Sequence, residues 1–269
     1  MNSLVQLMRP SVVALGILGV IVGSFVSGYF DTFEIIVSII VVLFIAGAGN
    51  AINDYYDYEI DKTNKPNRPI PSGKISRKNV LYISILLYLV GISLCSMLSI
   101  YCFGLAIFNT FISWLYSARI KTKYTFGNII PSWLGASSIL FGGLLTETVG
   151  LSVIAAASMA FFANTGREIA KDIEDMQGDE KGGKKTVPIL FGEDVARVVI
   201  KIFVIVAILM TPLPFIFELL NSYYIIAVLI CDVMFIYSFR FLKKNPAKAQ
   251  KIMKIAMFIG VLSFLIGAL

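Results

Sequence analysis

Six aspartates form two copies of one spacing in this chain. In each copy the carboxylates stand at positions i, i+3 and i+7, in the pattern DxxDxxxD. That spacing predicts three carboxylates on one face of a helix. The first cluster consists of Asp54, Asp57 and Asp61, and the second of Asp172, Asp175 and Asp179. Mg²⁺ takes oxygen ligands of this kind and commonly shares them with phosphate oxygens, so the pattern points to metal-assisted diphosphate chemistry.

The composition places these acids beside a membrane. The chain is 57% hydrophobic and only 15% charged, whereas soluble domains carry about 25% charged residues. Nine apolar stretches approach the roughly 20 residues that a bilayer crossing needs. They lie near 10–30, 33–52, 79–97, 99–116, 128–145, 149–166, 196–217, 222–241 and 252–269. The sequence therefore predicts an all-α membrane protein, a bundle of nine transmembrane helices in a single domain over residues 1–269.

The charged residues predict the orientation of this bundle. All 23 Lys and Arg residues fall on one side of the nine-span arrangement. The opposite loops carry only acids, which are Asp31, Glu34, Glu147 and Glu218. By the positive-inside rule the N-terminus is cytoplasmic and the C-terminus is outside. Both aspartate clusters then lie at the cytoplasmic face of a multi-pass protein of the cell membrane.

Several function classes are excluded or disfavoured by what the chain contains. There is no histidine, which excludes catalysis and metal binding by imidazole. The three cysteines lie in apolar stretches without ligand spacing, so core packing explains them best. Orientation and attraction to anionic membrane lipids explain the net charge of +6, and no nucleic acid is indicated. No obligate protein partner is evident either.

Two facing acidic helix ends suit the departure of a diphosphate. Metal ions between them would stabilise the negative charge on the leaving group, and basic residues such as Arg68, Lys121 and Lys185 would hold its remaining oxygens. An allylic carbon that loses diphosphate becomes a carbocation, which an apolar pocket inside a helical bundle would keep from water. The structural alternative is that the acids pair with nearby Lys or Arg. That alternative explains a single acid better than two matching clusters at one face.

The residues around the two clusters resemble the UbiA superfamily of intramembrane prenyltransferases. The similarity is carried by NAINDYYDYEID (50–61), NRPIPSG (67–73) and KDIEDMQGDEKGGKKTVPILFG (171–192), and it extends over nearly the whole chain. The resemblance implies nine transmembrane helices around a central cavity, with Mg²⁺ bound between two Asp-rich motifs. It also implies transfer of a prenyl group from an isoprenyl diphosphate to a lipophilic acceptor.

The resemblance assigns roles to particular residues of this sequence. All six clustered aspartates would be catalytic and would bind the metal, and Asn50 would belong to the first motif. The element YSxxxK, formed by Tyr116, Ser117 and Lys121, would lie beside the diphosphate. Arg68 and Lys185 match basic positions next to the motifs.

The acceptor is predicted from a finer resemblance. The stretch 47–73 is most similar to the archaeal branch that makes glycerol-ether lipids, which implies geranylgeranyl diphosphate as donor and geranylgeranylglyceryl phosphate as acceptor, joined through the free hydroxyl. Arg167 and Lys171 stand one turn apart and would bind the acceptor phosphate; equally, Lys171 could neutralise Asp175 at i+4.

Two other functions stay open from the sequence. One is prenylation of an aromatic quinone precursor such as 4-hydroxybenzoate. The run FIAGAGN (44–50) counts against it, because it lacks the arginine and cysteine of the RAAGC-like run typical of that branch. The other is a divalent-cation transporter, which would need acids along a pathway through the bilayer rather than at one face.

Overall fold

Helices make up nearly all of the described chain. The computed structural model describes residues 3–123, 125 and 127–269. In chain order the helices are α1 Ser3–Met8, α2 Pro10–Val26, α3 Thr32–Tyr56, α4 Tyr58–Asn64, α5 Arg77–Cys95, α6 Ile100–Leu115, α7 Lys121–Lys123, α8 Ile129–Gly143, α9 Leu151–Lys181, α10 Val187–Met210, α11 Leu213–Ile216, α12 Ser222–Ser238 and α13 Pro246–Ala268. A π-helical turn, Tyr116–Ile120, joins α6 to α7, and short 3₁₀ turns follow α8 and α12.

Polar side chains fix where several helices begin. Asp31 accepts a hydrogen bond from the backbone N–H of Glu34 at the start of α3. Ser76 does the same at the start of α5, and Ser99 at the start of α6. These contacts satisfy backbone donors that a helix leaves unpaired in its first turn. The hydrophobic stretches are thereby divided into separate helices at the polar residues between them.

The predicted apolar stretches coincide with long helices. Each of the nine overlaps one of α2, α3, α5, α6, α8, α9, α10, α12 and α13. Seven helices of the described chain are long and apolar enough to cross a membrane. Of the remaining two, α2 is apolar but has 17 residues, and α9 has 31 residues with a charged C-terminal half. The all-α membrane class is confirmed, and the count of nine crossings stays a prediction.

The helices enclose a cavity of about 390 Å³. Helix α2 packs against α3, α8 and α13, and α9 packs against α8, α10 and α13. The cavity is lined by α2, α3, α6, α8, α9 and α13 together with the π-helical turn and Arg68. Its walls therefore combine elements from both halves of the chain.

The two aspartate clusters sit on differently shaped backbones. The second cluster lies on one continuous helix, because α9 runs to Lys181, well past the predicted apolar stretch. The first cluster is divided between two helices. Asp54 lies on α3, Asp57 lies at the junction of α3 and α4, and Asp61 lies on α4. The helix expected for the first cluster is thus interrupted at Asp57, although Asp54 and Asp61 still share Arg68 as a partner.

Two glycines bring the backbones of α2 and α8 into contact. A Cβ atom at Gly23 would lie 2.0 Å from the carbonyl oxygen of Ile139, and one at Gly142 would lie 2.0 Å from that of Val20. Small residues permit such close approach between helices in a membrane. This contact fixes one wall of the cavity.

We expect Gly142→Ala to push α2 and α8 apart and to destabilise the protein by about 1–3 kcal/mol, because the added methyl meets rigid backbone. Gly104→Ala on α6 is the matched control, since a Cβ there meets nothing within 4 Å. Thermal unfolding in detergent would measure both variants. Equal melting temperatures for Gly142→Ala and Gly104→Ala would contradict the close helix contact.

Candidate active site

Arginines bridge the outer two acids of the first cluster. Arg68 Nη1 lies 2.9 Å from Asp54 Oδ1 and 2.5 Å from Asp61 Oδ2. Arg9 also pairs with Asp54. Burial disfavours the charged form of Asp61 more strongly than Arg68 favours it, so the pKa of Asp61 is raised above its ordinary value. The arginines thus hold two buried carboxylates within one network.

Lys121 neutralises the central acid of the first cluster. Its Nζ lies 2.7 Å from Asp57 Oδ1 and donates to Asn53 Oδ1 at 3.0 Å. The Asn53 amide in turn donates to Asp57 Oδ2 at 2.9 Å. Burial opposes the charge on Asp57, but the attraction of Lys121 and Lys184 outweighs it and lowers the pKa of Asp57. The π-helical turn ends directly before Lys121, as such turns often do at functional sites.

Each acid of the second cluster has a different partner. Asp172 accepts a hydrogen bond of 2.6 Å from the Asn128 amide. Asp175 pairs with Lys65 at 2.7 Å, and Asp179 pairs with Lys184 at 2.8 Å. The partners of the two clusters come from segments far apart in the sequence as well as from neighbouring residues.

Contacts between α4 and α9 bring the two clusters together. Lys65 follows α4 directly and reaches Asp175, and the Asn64 amide donates to the Asp175 carbonyl oxygen at 3.4 Å. A Cβ atom at Gly178 would collide with the Asn64 side chain, so a larger residue there would displace Asn64 from this contact. Burial opposes the charge on Lys184, but Asp57 and Asp179 together raise its pKa. Lys184 is therefore attracted by both clusters at once.

The donor set fits Mg²⁺ that is completed by a substrate. No group of three carboxylates among the residues described is arranged to hold a metal ion unaided. Mg²⁺ usually binds one or two carboxylates and keeps waters or phosphate oxygens, so a preformed cage is not needed. Asp57 Oδ1 is buried and accepts no hydrogen bond from the described residues, although Lys121 pairs with it ionically. The carboxylates are hard oxygen donors of the kind that Mg²⁺ binds.

The cavity is polar at one end and apolar along its length. Arg9 and Arg68 line it together with Asn50 and Asn53, next to the first cluster. Farther along α2, α3 and α8 its walls consist mainly of aliphatic residues and glycines, among them Val42. An amphiphilic molecule with an anionic head and a hydrocarbon tail suits this arrangement.

Comparison with known proteins assigns the chain to a family. The model of the UbiA prenyltransferase family matches residues 14–262. The chain belongs to the UbiA prenyltransferase family. The resemblance inferred from the two aspartate motifs is thereby confirmed.

Individual family members agree with this over the full length. A digeranylgeranylglyceryl phosphate synthase of Methanococcoides burtonii is 38% identical over 281 residues, covering 100% of both chains. A solved structure from work on digeranylgeranylglyceryl phosphate synthase in membranes has a TM-score of 0.78 and 34% identity, covering 99% of this chain and 97% of that one. A UbiA homologue from Archaeoglobus fulgidus bound to DMAPP and Mg²⁺ has a TM-score of 0.76 at 19% identity, covering 99% of both.

The structure places most of the residues predicted for the UbiA site around one region. The six aspartates and Arg68 form the two joined clusters described above, and Lys121 contacts the first. Tyr116 and Ser117 line the cavity. Asn50 also lines it, while its amide donates to the carbonyl oxygen of Met8 at 2.9 Å.

The remaining predicted basic residues are Arg167, Lys171 and Lys185. Lys185 is exposed, whereas its neighbour Lys184 faces the clusters. Lys171 pairs with Glu168 at 3.2 Å and Arg167 pairs with the same carboxylate at 2.5 Å. The alternative that Lys171 neutralises Asp175 is wrong, because Lys65 takes that position.

Sequence reasoning missed several residues of the site. Arg9, Lys65 and Lys184 come from other parts of the chain, and their pairing depends on tertiary structure. One structural signal marks Arg9: its φ of 54° lies in the left-handed region, which is uncommon outside glycine and concentrates at functional sites. Asn128 and Glu168 gave no signal, since an isolated amide or acid has no distinctive spacing.

Two single variants, Lys184→Met and Lys185→Met, test which of the neighbouring lysines contributes to turnover. We expect Lys184→Met to lower prenyl transfer about tenfold or more, because Asp179 loses its buried partner and the leaving diphosphate loses a nearby cation. Lys185→Met should stay within about twofold of the parent chain, since Lys185 is exposed. Turnover would be measured on protein whose melting temperature shows that it is folded. The reverse order of effects would contradict this placement.

Proposed function

We propose that this protein is an intramembrane prenyltransferase of archaeal ether-lipid synthesis. It transfers a geranylgeranyl group from geranylgeranyl diphosphate to the free hydroxyl of geranylgeranylglyceryl phosphate and releases diphosphate. The observation that carries the proposal is the junction of two aspartate clusters at the polar end of an apolar-walled cavity. The full-length likeness to digeranylgeranylglyceryl phosphate synthases supports this donor and acceptor.

The proposed architecture is one domain over residues 1–269 with nine transmembrane helices around the cavity. Counting α2 and α9 as crossings places every Lys and Arg on one side. With the positive-inside rule this gives a cytoplasmic N-terminus, an external C-terminus and an active site that faces the cytoplasm in the cell membrane. Both substrates would reach the site as lipids of that membrane.

In the proposed site the aspartates hold Mg²⁺ and the basic residues hold the donor. Asp54, Asp57 and Asp61 provide carboxylates from one side, and Asp172, Asp175 and Asp179 from the other. When bound, Mg²⁺ supplies positive charge that stabilises the leaving diphosphate. The Archaeoglobus fulgidus homologue, whose fold is similar, binds Mg²⁺ together with DMAPP. With the carboxylates bound to the metal, Arg9, Arg68, Lys121 and Lys184 would be free to bind diphosphate oxygens.

The surrounding residues would position the donor and keep water away from its reactive carbon. Tyr116, Ser117 and Asn50 line the cavity at its polar part and would position the head of the donor. The apolar walls would exclude water from the allylic cation. The C–O bond to diphosphate breaks with its electron pair on the diphosphate, and the acceptor hydroxyl forms the new ether bond. Its proton passes to the departing diphosphate or to water.

Removing one clustered carboxylate should stop the reaction without unfolding the protein. We expect Asp54→Asn and Asp175→Asn each to reduce turnover on the order of 10²-fold or more, because each amide keeps the shape but loses the charge that holds the metal. Glu180→Gln is the matched control, since Glu180 is an exposed acid on the same helix as Asp175. Near-normal turnover of Asp175→Asn with saturating Mg²⁺ would exclude the two-cluster metal site.

The acceptor is tested by offering alternatives side by side. Labelled geranylgeranyl diphosphate and Mg²⁺ would be supplied with geranylgeranylglyceryl phosphate or with 4-hydroxybenzoate, in liposomes. We expect transfer to the glyceryl phosphate, with a requirement for Mg²⁺ that a chelator abolishes. Transfer to the benzoate alone would move the protein to quinone-precursor synthesis. No transfer, with Mg²⁺ flux into the liposomes, would favour the transporter alternative.

A further inference from the structure

A second basic group lines the cavity beside the aspartate clusters, where Lys171 directly precedes Asp172. It consists of Arg167 and Lys171 on α9 and Lys254 on α13, and all three line the cavity together with Glu168. Glu168 pairs with both residues of α9, at 2.5 and 3.2 Å. Lys254 Nζ donates to Ser11 Oγ on α2 at 2.6 Å. The group therefore joins three helices around one face of the cavity.

The charges of this α9–α13 basic group are not balanced. Three cations surround one carboxylate, which leaves two positive charges in excess. Within the described part of the chain, Lys254 forms no ion pair with a carboxylate. At the aspartate clusters the balance is opposite, because six carboxylates meet five cations. The aspartate clusters therefore attract added cations, and the neighbouring basic group attracts an anion.

In the part of the chain that the structure describes, one donor of the group is left without a partner. Arg167 Nε is buried and has no hydrogen-bond partner among the described residues. Buried polar groups without partners are costly, so such an atom indicates a missing partner. The planar guanidinium and the two ammonium groups can together bind several oxygens of a phosphate. A phosphate monoester carries about −1.5 to −2 charges at neutral pH, which matches the excess.

The residues that continue along the same helices are apolar. On α13, Lys254 is followed at i+3 and i+7 by Met257 and Val261, which also line the cavity. On α9, Ala160 lines it two turns before Arg167. A lipid whose phosphate lay among the basic residues would therefore have its hydrocarbon tail against these positions.

We propose that the α9–α13 basic group binds the phosphate monoester of the acceptor lipid without a metal ion. Resting on the proposed function, this adds Lys254 and its Ser11 contact to the acceptor site and gives Glu168 a role. Glu168 holds the Arg167 and Lys171 side chains in place while the net charge of the group stays positive. The donor diphosphate needs Mg²⁺, and the aspartates attract that ion. The diphosphate would therefore bind at the aspartates and not at the α9–α13 basic group.

The experiment measures lipid binding to the full chain in detergent with a chelator present. Geranylgeranylglyceryl phosphate is compared with the same lipid lacking the phosphate and with inorganic phosphate alone. We expect the phosphorylated lipid to bind at least about tenfold more tightly than the alcohol, since charged hydrogen bonds are lost without the phosphate. If inorganic phosphate bound as tightly as the lipid, the group would be a site for free phosphate and the acceptor assignment would fail.

Lys254→Gln is compared with Lys251→Gln, which removes the same charge from an exposed position on α13. We expect Lys254→Gln to weaken metal-free lipid binding and to raise the acceptor KM by about 10- to 100-fold, with the donor KM and the melting temperature unchanged. Lys251→Gln should match the parent chain. Equal effects of the two variants, or lipid binding that requires Mg²⁺, would overturn the proposal.

These readouts test the lipid-binding site and the prenyl-transfer reaction separately. Metal-free binding of the phosphorylated lipid that depends on Lys254, without any prenyl transfer, would support the binding site and overturn the proposed reaction. Transfer to the lipid that is indifferent to Lys254→Gln would support the reaction and overturn the binding site.

Discussion

Buried carboxylates that need cations are the constraint on which the rest of this structure depends. An ionised carboxylate in an apolar environment is costly unless a positive charge lies beside it. The chain meets this requirement with residues from distant segments, since Arg9 precedes α2, Lys65 follows α4 and Lys121 follows the π-helical turn. Each ion pair therefore also ties helices together. The same contacts that neutralise the acids assemble the polar end of the cavity.

These ion pairs can exchange partners because each balances the charge of a carboxylate without satisfying all of its hydrogen bonds. Asp57 keeps one buried oxygen without a hydrogen bond while Lys121 balances its charge. A divalent ion offers a carboxylate more charge than an ammonium group does, and a diphosphate offers the displaced cations new partners. Binding a metal–diphosphate complex thus replaces one set of ion pairs by another without leaving any charge buried alone. A site inside a membrane protein needs such an exchange, because each buried charge keeps an opposite charge beside it.

The sequence predicts the helices better than it predicts the site. Apolar stretches of bilayer length and caps such as Ser76 and Ser99 are local signals, so the helix order and most boundaries follow from them. The paired aspartate spacing identifies the two clusters for the same reason. The interruption at Asp57 has no comparable signal in the sequence, and helical hydrogen bonds from Asp57 to Asn53 and from Asp61 to Asp57 continue across it. The choice of Lys184 over Lys185 depends on how the chain leaves α9, which the two identical residue types cannot reveal.

The opposite charge balance of the aspartate clusters and of the neighbouring α9–α13 basic group would let the site distinguish its two lipid anions. The aspartate clusters repel a bare phosphate and accept one that arrives with metal ions, which is how a diphosphate travels in Mg²⁺-rich cytoplasm. The α9–α13 basic group attracts a bare monoester and repels a metal complex with spare positive charge. Each substrate head would thus be drawn to one group and repelled by the other through the same electrostatics. Because both groups adjoin one cavity, donor and acceptor could occupy it together when each head lies at its own group, and that is the arrangement in which they can react.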